Sequence, residues 1–250
     1  MLSHAALSYQ PGEQYFRWRG GEIRRIEGFA DAVFAFAVTL LVVSLEVPHT
    51  YHELLDTMAG FVPFAISFAM LFWLWYQHYL FYRRYALEDL TSTLLTAVLL
   101  FVVLFYVYPL KFLWTALTRL VLGRGLEIAL PGGGAERMLE PGQLSSLMAV
   151  FSAGYLAVFL VFAAMYHHAW RRRQALELSP LEALMTRAHR TESLLMVLVG
   201  VVSMVGALLG GRVTALSYLS YWAIGPLQWL YWSRIDRARR PLLAAPITSP

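Results

Sequence analysis

Residues 25–48 read RIEGFADAVFAFAVTLLVVSLEVP. After Asp31 this stretch carries no charge until Glu46. As a helix rising about 1.5 Å per residue, the run from Phe29 to Leu45 covers most of a hydrocarbon core about 30 Å thick. Asp31 is the exception inside it. A carboxylate there is costly to hold, so by default it marks a functional position or a structural network.

The rest of the chain repeats the apolar theme. Of 250 residues, 58% are hydrophobic and 14% charged, where a soluble domain carries about 25% charge. This composition places the protein in a membrane. Further apolar runs lie at Met58–Tyr82, Leu90–Leu117, Leu144–Tyr166, Ser193–Gly210 and Val213–Trp232. Together with Phe29–Leu45 they predict an all-α integral membrane protein with six transmembrane helices. The expected division is a cytoplasmic N-terminal segment over 1–28, a membrane domain over 29–233 and a cytoplasmic basic tail over 234–250.

The net charge of +4 would suggest nucleic acid in a soluble chain, but here the basic residues flank apolar runs. Across the six predicted spans, fifteen basic residues fall on one side and five on the other. That asymmetry predicts both termini in the cytoplasm and excludes a nucleic-acid partner as its cause. Arg171–Arg173 and the tail SRIDRARR also suit anionic lipid heads. His167, His168 and Trp170 beside them read as interfacial anchors. Residues 1–28 mix Glu13 and Glu22 with Arg17, Arg19, Arg24 and Arg25 without an apolar core, so no signal peptide is read. Cysteine is absent, which removes disulfide and thiolate chemistry.

At about 100° per residue, Phe29, Ala32, Leu40, Val43 and Val47 fall within roughly 40° of Phe36, with Thr39 about 60° to one side. This is an apolar stripe with a hydroxyl at its edge. Asp31 lies about 140° from Phe36 and faces neighbouring helices instead. Two readings stand for it, a packing network or a part in ion or proton passage, and its angle favours packing. Trp73, Trp75, Gln77 and His78 of the second run offer suitable donors.

Other motifs carry less. The segment Arg119–Gln143 contains GRG, PGGG and EPG and reads as a surface loop; no Lys-Ser/Thr follows to make it a phosphate cradle. His49 and His52 stand in HTYHE, which is not the zinc-protease order and lacks a third ligand. Gly200, Gly206, Gly210 and Gly211 suit close helix approach. No nucleophile, metal cluster or acid pair falls within the apolar runs, so no enzyme and no cofactor are expected.

Arg25, Phe29, Ala30 and Asp31 resemble the Arg-x-x-x-Phe-Ser-Asp signature of the lysosomal and bacterial potassium channels of the transmembrane protein 175 family. The run LFWLWYQHYLFYRR, with Trp75 and His78, is similar to that family's Trp and His positions, and YPLKFLW of the third run is similar in character. The resemblance is sharpest over about residues 24–48. It implies a homotetramer of six-helix subunits around a central pore lined by the first helix, in the plasma membrane for the bacterial branch.

By that resemblance Phe36, Leu40 and Val43 form an apolar constriction and Thr39 supplies a hydroxyl. Arg25, Phe29, Asp31, Trp75 and His78 hold the assembly network. K⁺ is the expected permeant ion, passing with modest selectivity once the constriction widens and wets. Glu46 reads either as an interfacial residue in water or as an acidic ring at the pore mouth. Ala30 stands where the family has Ser, and Phe36 where Ile or Leu is usual. The competing readings are a secondary transporter, which would show related halves and broken helices, and a non-conducting assembly protein.

Overall fold

The structure is a computed structural model, and it describes residues 16–43, 49–123, 125–129, 134–140 and 142–244. Helices α1 (Arg25–Val43), α2 (Tyr51–Ala59), α3 (Phe61–Tyr85) and α4 (Leu90–Val121) are followed by a small antiparallel hairpin, β1 (Glu127–Ala129) and β2 (Ala135–Arg137). Then come α5 (Gln143–Arg171), α6 (Pro180–Leu209), α7 (Thr214–Trp222) and α8 (Ile224–Ala244). The hairpin sits in the segment expected to be an irregular loop.

Six membrane spans are not what the structure shows. Among the described residues, three helices are long and apolar enough to cross a membrane: α4, α5 and α6, with 32, 29 and 30 residues. The reasons lie in particular residues. Helix α1 holds Arg25, Glu27 and Asp31 within 19 residues. Helix α3 is long enough, but Gln77, His78, Arg83, Arg84 and a run of Trp and Tyr dilute its apolar character.

The run Ser193–Gly210 is only the second half of α6. The run Val213–Trp232 breaks between Trp222 and Ile224. Of its pieces, α7 has 9 residues, about 14 Å of helix. The other, α8, carries Arg234, Asp236, Arg237, Arg239 and Arg240. The count of basic residues that places both termini on one side is drawn across those six spans and falls with them.

The helix ends are written in local chemistry. Asp89 caps α4 by accepting from the Ser92 amide at 3.0 Å. Ser179, Pro180 and Glu182 begin α6 with a capping box: the Glu182 amide donates to Ser179 Oγ at 3.2 Å and the Ser179 amide to Glu182 Oε2 at 2.9 Å. Pro109 removes one ladder bond inside α4. Gly210 and Gly211 do not serve close approach as expected. Their φ values of +67° and +58° turn the chain out of α6.

The core joins α1, α3, α4 and α5. Ala30, Phe34, Ala37 and Leu41 are buried at i, i+4, i+7 and i+11, which makes one face of α1. They pack among Leu71, Leu74, Phe81, Leu99, Val103 and Val107. Helices α5 and α6 lie close together because Gly200 admits Leu156 and Tyr155; a Cβ there would meet the Leu156 side chain at 2.9 Å. Gly206 likewise admits Ser217 of α7, with its backbone N 3.0 Å from where a Cβ would stand.

Candidate functional site

Helix α1 is half inside its own subunit and half outside it. The buried face described above uses one side. The other side, running from Phe29 through Ala32, Phe36, Thr39, Ala35 and Val42 to Asp31, is exposed and spans about 160° of the helix at 100° per residue. Phe29 and Phe36 remain 58% and 55% exposed, which is high for rings on a helix whose other face is fully packed. Ala32 and Thr39 sit near the middle of this arc, and Phe36 toward one flank.

Each predicted residue can be placed. Thr39 is exposed, and its hydroxyl donates to the Ala35 carbonyl at 3.0 Å. That bond consumes the proton, so the oxygen lone pairs face outward as acceptors. Leu40 is half-buried and packs against the core margin, partly withdrawn from the stripe. The Val43 side chain and Glu46 lie outside the described residues, as does the His52 side chain.

The expected network is divided in two. Trp75 Nε1 donates to Asp31 Oδ1 at 2.7 Å, and Trp75 itself lies between Phe72 and Tyr79, with ring centroids 5.3 and 5.7 Å away. These two residues meet on the exposed flank of α1. There, Phe34, Ala35 and Val38 of α1 and Phe68, Leu71 and Phe72 of α3 line an open groove of about 360 Å³ around them. His78 belongs elsewhere. Its Nε2 is 3.3 Å from Thr96 Oγ1, its ring lies 6.2 Å from Phe34, and Tyr82 Oη shares the same threonine at 2.8 Å. It joins α1, α3 and α4 inside the core, not at Asp31. Arg25 is exposed and forms no ion pair among the described residues.

Several positioning residues were not visible from spacing. Arg24 turns away from Asp31, donating to the Ala86 carbonyl at 2.6 Å and pairing with Glu88 at 2.9 Å. Arg19 grips Glu182 with a two-pronged contact, Nη1 to Oε1 at 2.8 Å and Nη2 to Oε2 at 2.9 Å. The Arg17 amide adds a bond to Oε1 at 2.9 Å. The irregular segment that leads into α1 is thereby fastened to the start of α6. It is also stitched to the end of α3, where the Arg19 amide donates to the Arg83 carbonyl at 3.0 Å and Arg83 Nη1 returns a bond to the Gly20 carbonyl at 2.9 Å. At the other end of α1, Lys111 Nζ donates to the Leu41 carbonyl at 2.9 Å, a cation placed on one of the last-turn carbonyls. The capping box around Glu182 is a readable motif; its long-range grip on Arg19 has no sequence signal.

The same basic end holds a third anchor. Asp89 accepts from His168 Nε2 at 2.6 Å and from Arg172 Nη2 at 3.1 Å. Partial burial pushes its carboxyl upward, but the bonds from Ser92 and His168 outweigh that and hold it down at about 2.

The sequence profile of the endosomal/lysosomal potassium channel TMEM175 matches residues 25–109, which contain α1, α3 and most of α4. A potassium channel from Marivirga tractuosa is 37% identical over 234 residues, spanning 91% of this chain and 94% of that protein. The chain belongs to the TMEM175 family. Among solved structures, a variant of the potassium channel MtTMEM175, crystallised with a nanobody fusion, shares 36% identity with this TMEM175 chain and superimposes with a TM-score of 0.77. That match covers 92% of this chain and 99% of the other. The crystal structure of a TMEM175 homologue from Chamaesiphon minutus, described as a lysosomal potassium-selective channel, superimposes with a TM-score of 0.52. It covers 85% of this chain and 97% of the other, and at 22% identity it speaks for the fold alone.

Proposed function

We propose that this membrane protein is a potassium-permeable cation channel in which α1 lines the path, with copies of the chain assembled as a homotetramer in the plasma membrane. The observation that carries the reading is the two-faced α1. One face is sealed into the core by Ala30, Phe34, Ala37 and Leu41, while Phe29, Ala32, Phe36 and Thr39 are left uncovered by their own subunit. The relatives named potassium channels support the choice of ion.

Phe36, Thr39 and Val43 then form the constriction, with Leu40 backing them from the core margin. Large apolar side chains around one axis exclude water, and without water an ion faces its full desolvation cost. Opening requires the ring of Phe36 side chains to move aside. K⁺ sheds hydration more easily than Na⁺, and the outward lone pairs of Thr39 replace part of the lost shell. Glu46, outside the described residues, keeps its two readings: an acidic ring at the mouth would concentrate cations by charge, and an interfacial residue in water would not. Asp31 and Trp75 hold the flank of α1, so their role is to fix the helix and not to carry the ion.

Flux of K⁺ into liposomes loaded with purified protein tests this reading. Passive uptake that is faster than in empty liposomes, does not saturate with substrate and needs no counter-ion supports a channel. Saturable, counter-ion-dependent uptake points to a transporter and removes the proposal.

A further inference from the structure

Trp170 lies one residue from the end of α5, and two guanidinium groups converge on its indole. Arg173 Cζ is 4.7 Å and Arg187 Cζ 5.0 Å from the ring centroid. Arg173 is held further by a bond from Nη1 to the Trp170 carbonyl at 3.2 Å. Both arginines are exposed. Among the described residues, neither is in an ion pair with a carboxylate, whereas their neighbours Arg172 and Arg19 are paired with Asp89 and Glu182. Glu177, in the turn between α5 and α6, is exposed and pairs with neither.

Two cations held at one ring repel each other, and the indole does not neutralise them. Each guanidinium carries several donors in a planar fork, which suits it to phosphate oxygens. Its position decides which phosphate. Helices α5 and α6 both have the length and composition to cross a membrane, and Trp170 sits where one ends and the other begins. Indoles collect at this level of a bilayer, beside the headgroups.

We propose that Trp170, Arg173 and Arg187 form a binding site for the phosphate of an anionic lipid headgroup. The site is separate from α1, and its occupation does not require that the protein conduct. The acyl chains lie along the exposed apolar sides of the helices while the phosphodiester receives both guanidinium forks.

Native mass spectrometry of the protein in neutral detergent, titrated with phosphatidylglycerol or phosphatidylcholine, tests the site. Wild type is expected to retain phosphatidylglycerol at concentrations where phosphatidylcholine leaves no adduct. The paired change Arg173→Gln and Arg187→Gln weakens retention about tenfold or more, equivalent to losing one strong contact. The paired change Arg119→Gln and Arg137→Gln removes the same charge from the far end of α4 and the hairpin, and leaves retention unchanged. Lysine at both positions 173 and 187 recovers only part of the binding, because an ammonium keeps the charge but not the fork.

Equal retention of the two lipids, equal loss in the Arg119 and Arg137 control, or full recovery with lysine each overturns the proposal in favour of a diffuse charge effect. Displacement of the lipid by an equal concentration of glycerol 3-phosphate overturns it in favour of a soluble phosphate ligand. A thermal melt of each variant shows that it is folded, and Arg187→Gln alone keeps the comparison readable should the double change misfold.

Discussion

Trp75 Nε1 donates to Asp31 Oδ1 across 2.7 Å, joining α3 to the exposed flank of α1. The sequence marks both residues, but only the structure shows that the bond leaves the Phe36 side of the helix untouched. Replacing Trp75 with Phe keeps the aromatic stack and removes the donor. Asp31 is exposed within its subunit, so the cost is that of one hydrogen bond, about 1 kcal/mol, and the melting temperature in detergent falls slightly. Asp31→Asn removes the charge as well and is the milder change. Equal melts for Trp75→Phe and wild type would show that the bond contributes nothing.

The Arg19 and Glu182 side chains are 9% and 5% exposed, so this is a buried pair and not a surface one. Removing one partner of such a pair costs about 3–5 kcal/mol, because the other is left buried and uncompensated. Arg19→Ala and Glu182→Ala should therefore each destabilise strongly, and the double change by much less than their sum. A double-mutant cycle on thermal or denaturant melts measures the coupling. Additive losses would mean that the two act independently.

Acid should loosen the contact between the start of α4 and the end of α5. The carboxyl of Asp89 is lowered from 3.8 to about 2, so the folded state favours its ionised form. The stabilisation is fully present above pH about 4 and is lost as pH falls through about 2. Asp89→Asn should abolish this part of the acid dependence. Melting temperatures of wild type and variant should converge as pH drops through that window, and parallel curves would contradict the assignment.

Gly154 and Gly206 set close approaches between helices. A Cβ at position 154 would stand 2.0 Å from the Tyr106 ring, and one at 206 would stand 3.0 Å from the Ser217 amide nitrogen. Gly154→Ala forces Tyr106 from its place and its bond to the Phe151 carbonyl, with an overpacking cost of about 1–3 kcal/mol. Gly28 meets nothing within 4 Å, so Gly28→Ala serves as a control that should leave the melt unchanged or raise it slightly.

The two faces of α1 could be read from periodicity because a helix must turn by 100° per residue and apolar side chains repeat with it. Phe36 and Thr39 do fall on the exposed arc. Periodicity could not count the spans, since it treats Trp, Tyr and Leu alike and does not show that α6 continues through Thr186 to Pro180. It does end one run at Gly210, where α6 stops, but it misses the break between Trp222 and Ile224 inside the next run, and it reads Gly210 and Gly211 as packing residues where their positive φ turns the chain. The family resemblance and its imidazole donor place His78 in the Asp31 network with Trp75. Three residues along a helix leave side chains only about 60° apart, so spacing alone does not separate the two, yet His78 faces Thr96 in the core. Arg19 reaches Glu182 of α6 across 163 residues and Lys111 reaches Leu41 of α1 across 70, separations at which no local pattern records the pairing.

The central claim is that the exposed apolar arc of α1 is the ion path, with Phe36 closing it. K⁺ flux into liposomes, compared between wild type and Phe36→Ala at equal reconstituted protein, tests this most directly. The account predicts that Phe36→Ala raises K⁺ flux and narrows the preference over Na⁺, because a smaller side chain lets the constriction wet. Flux identical to wild type for both ions, from a variant that assembles normally, would contradict it.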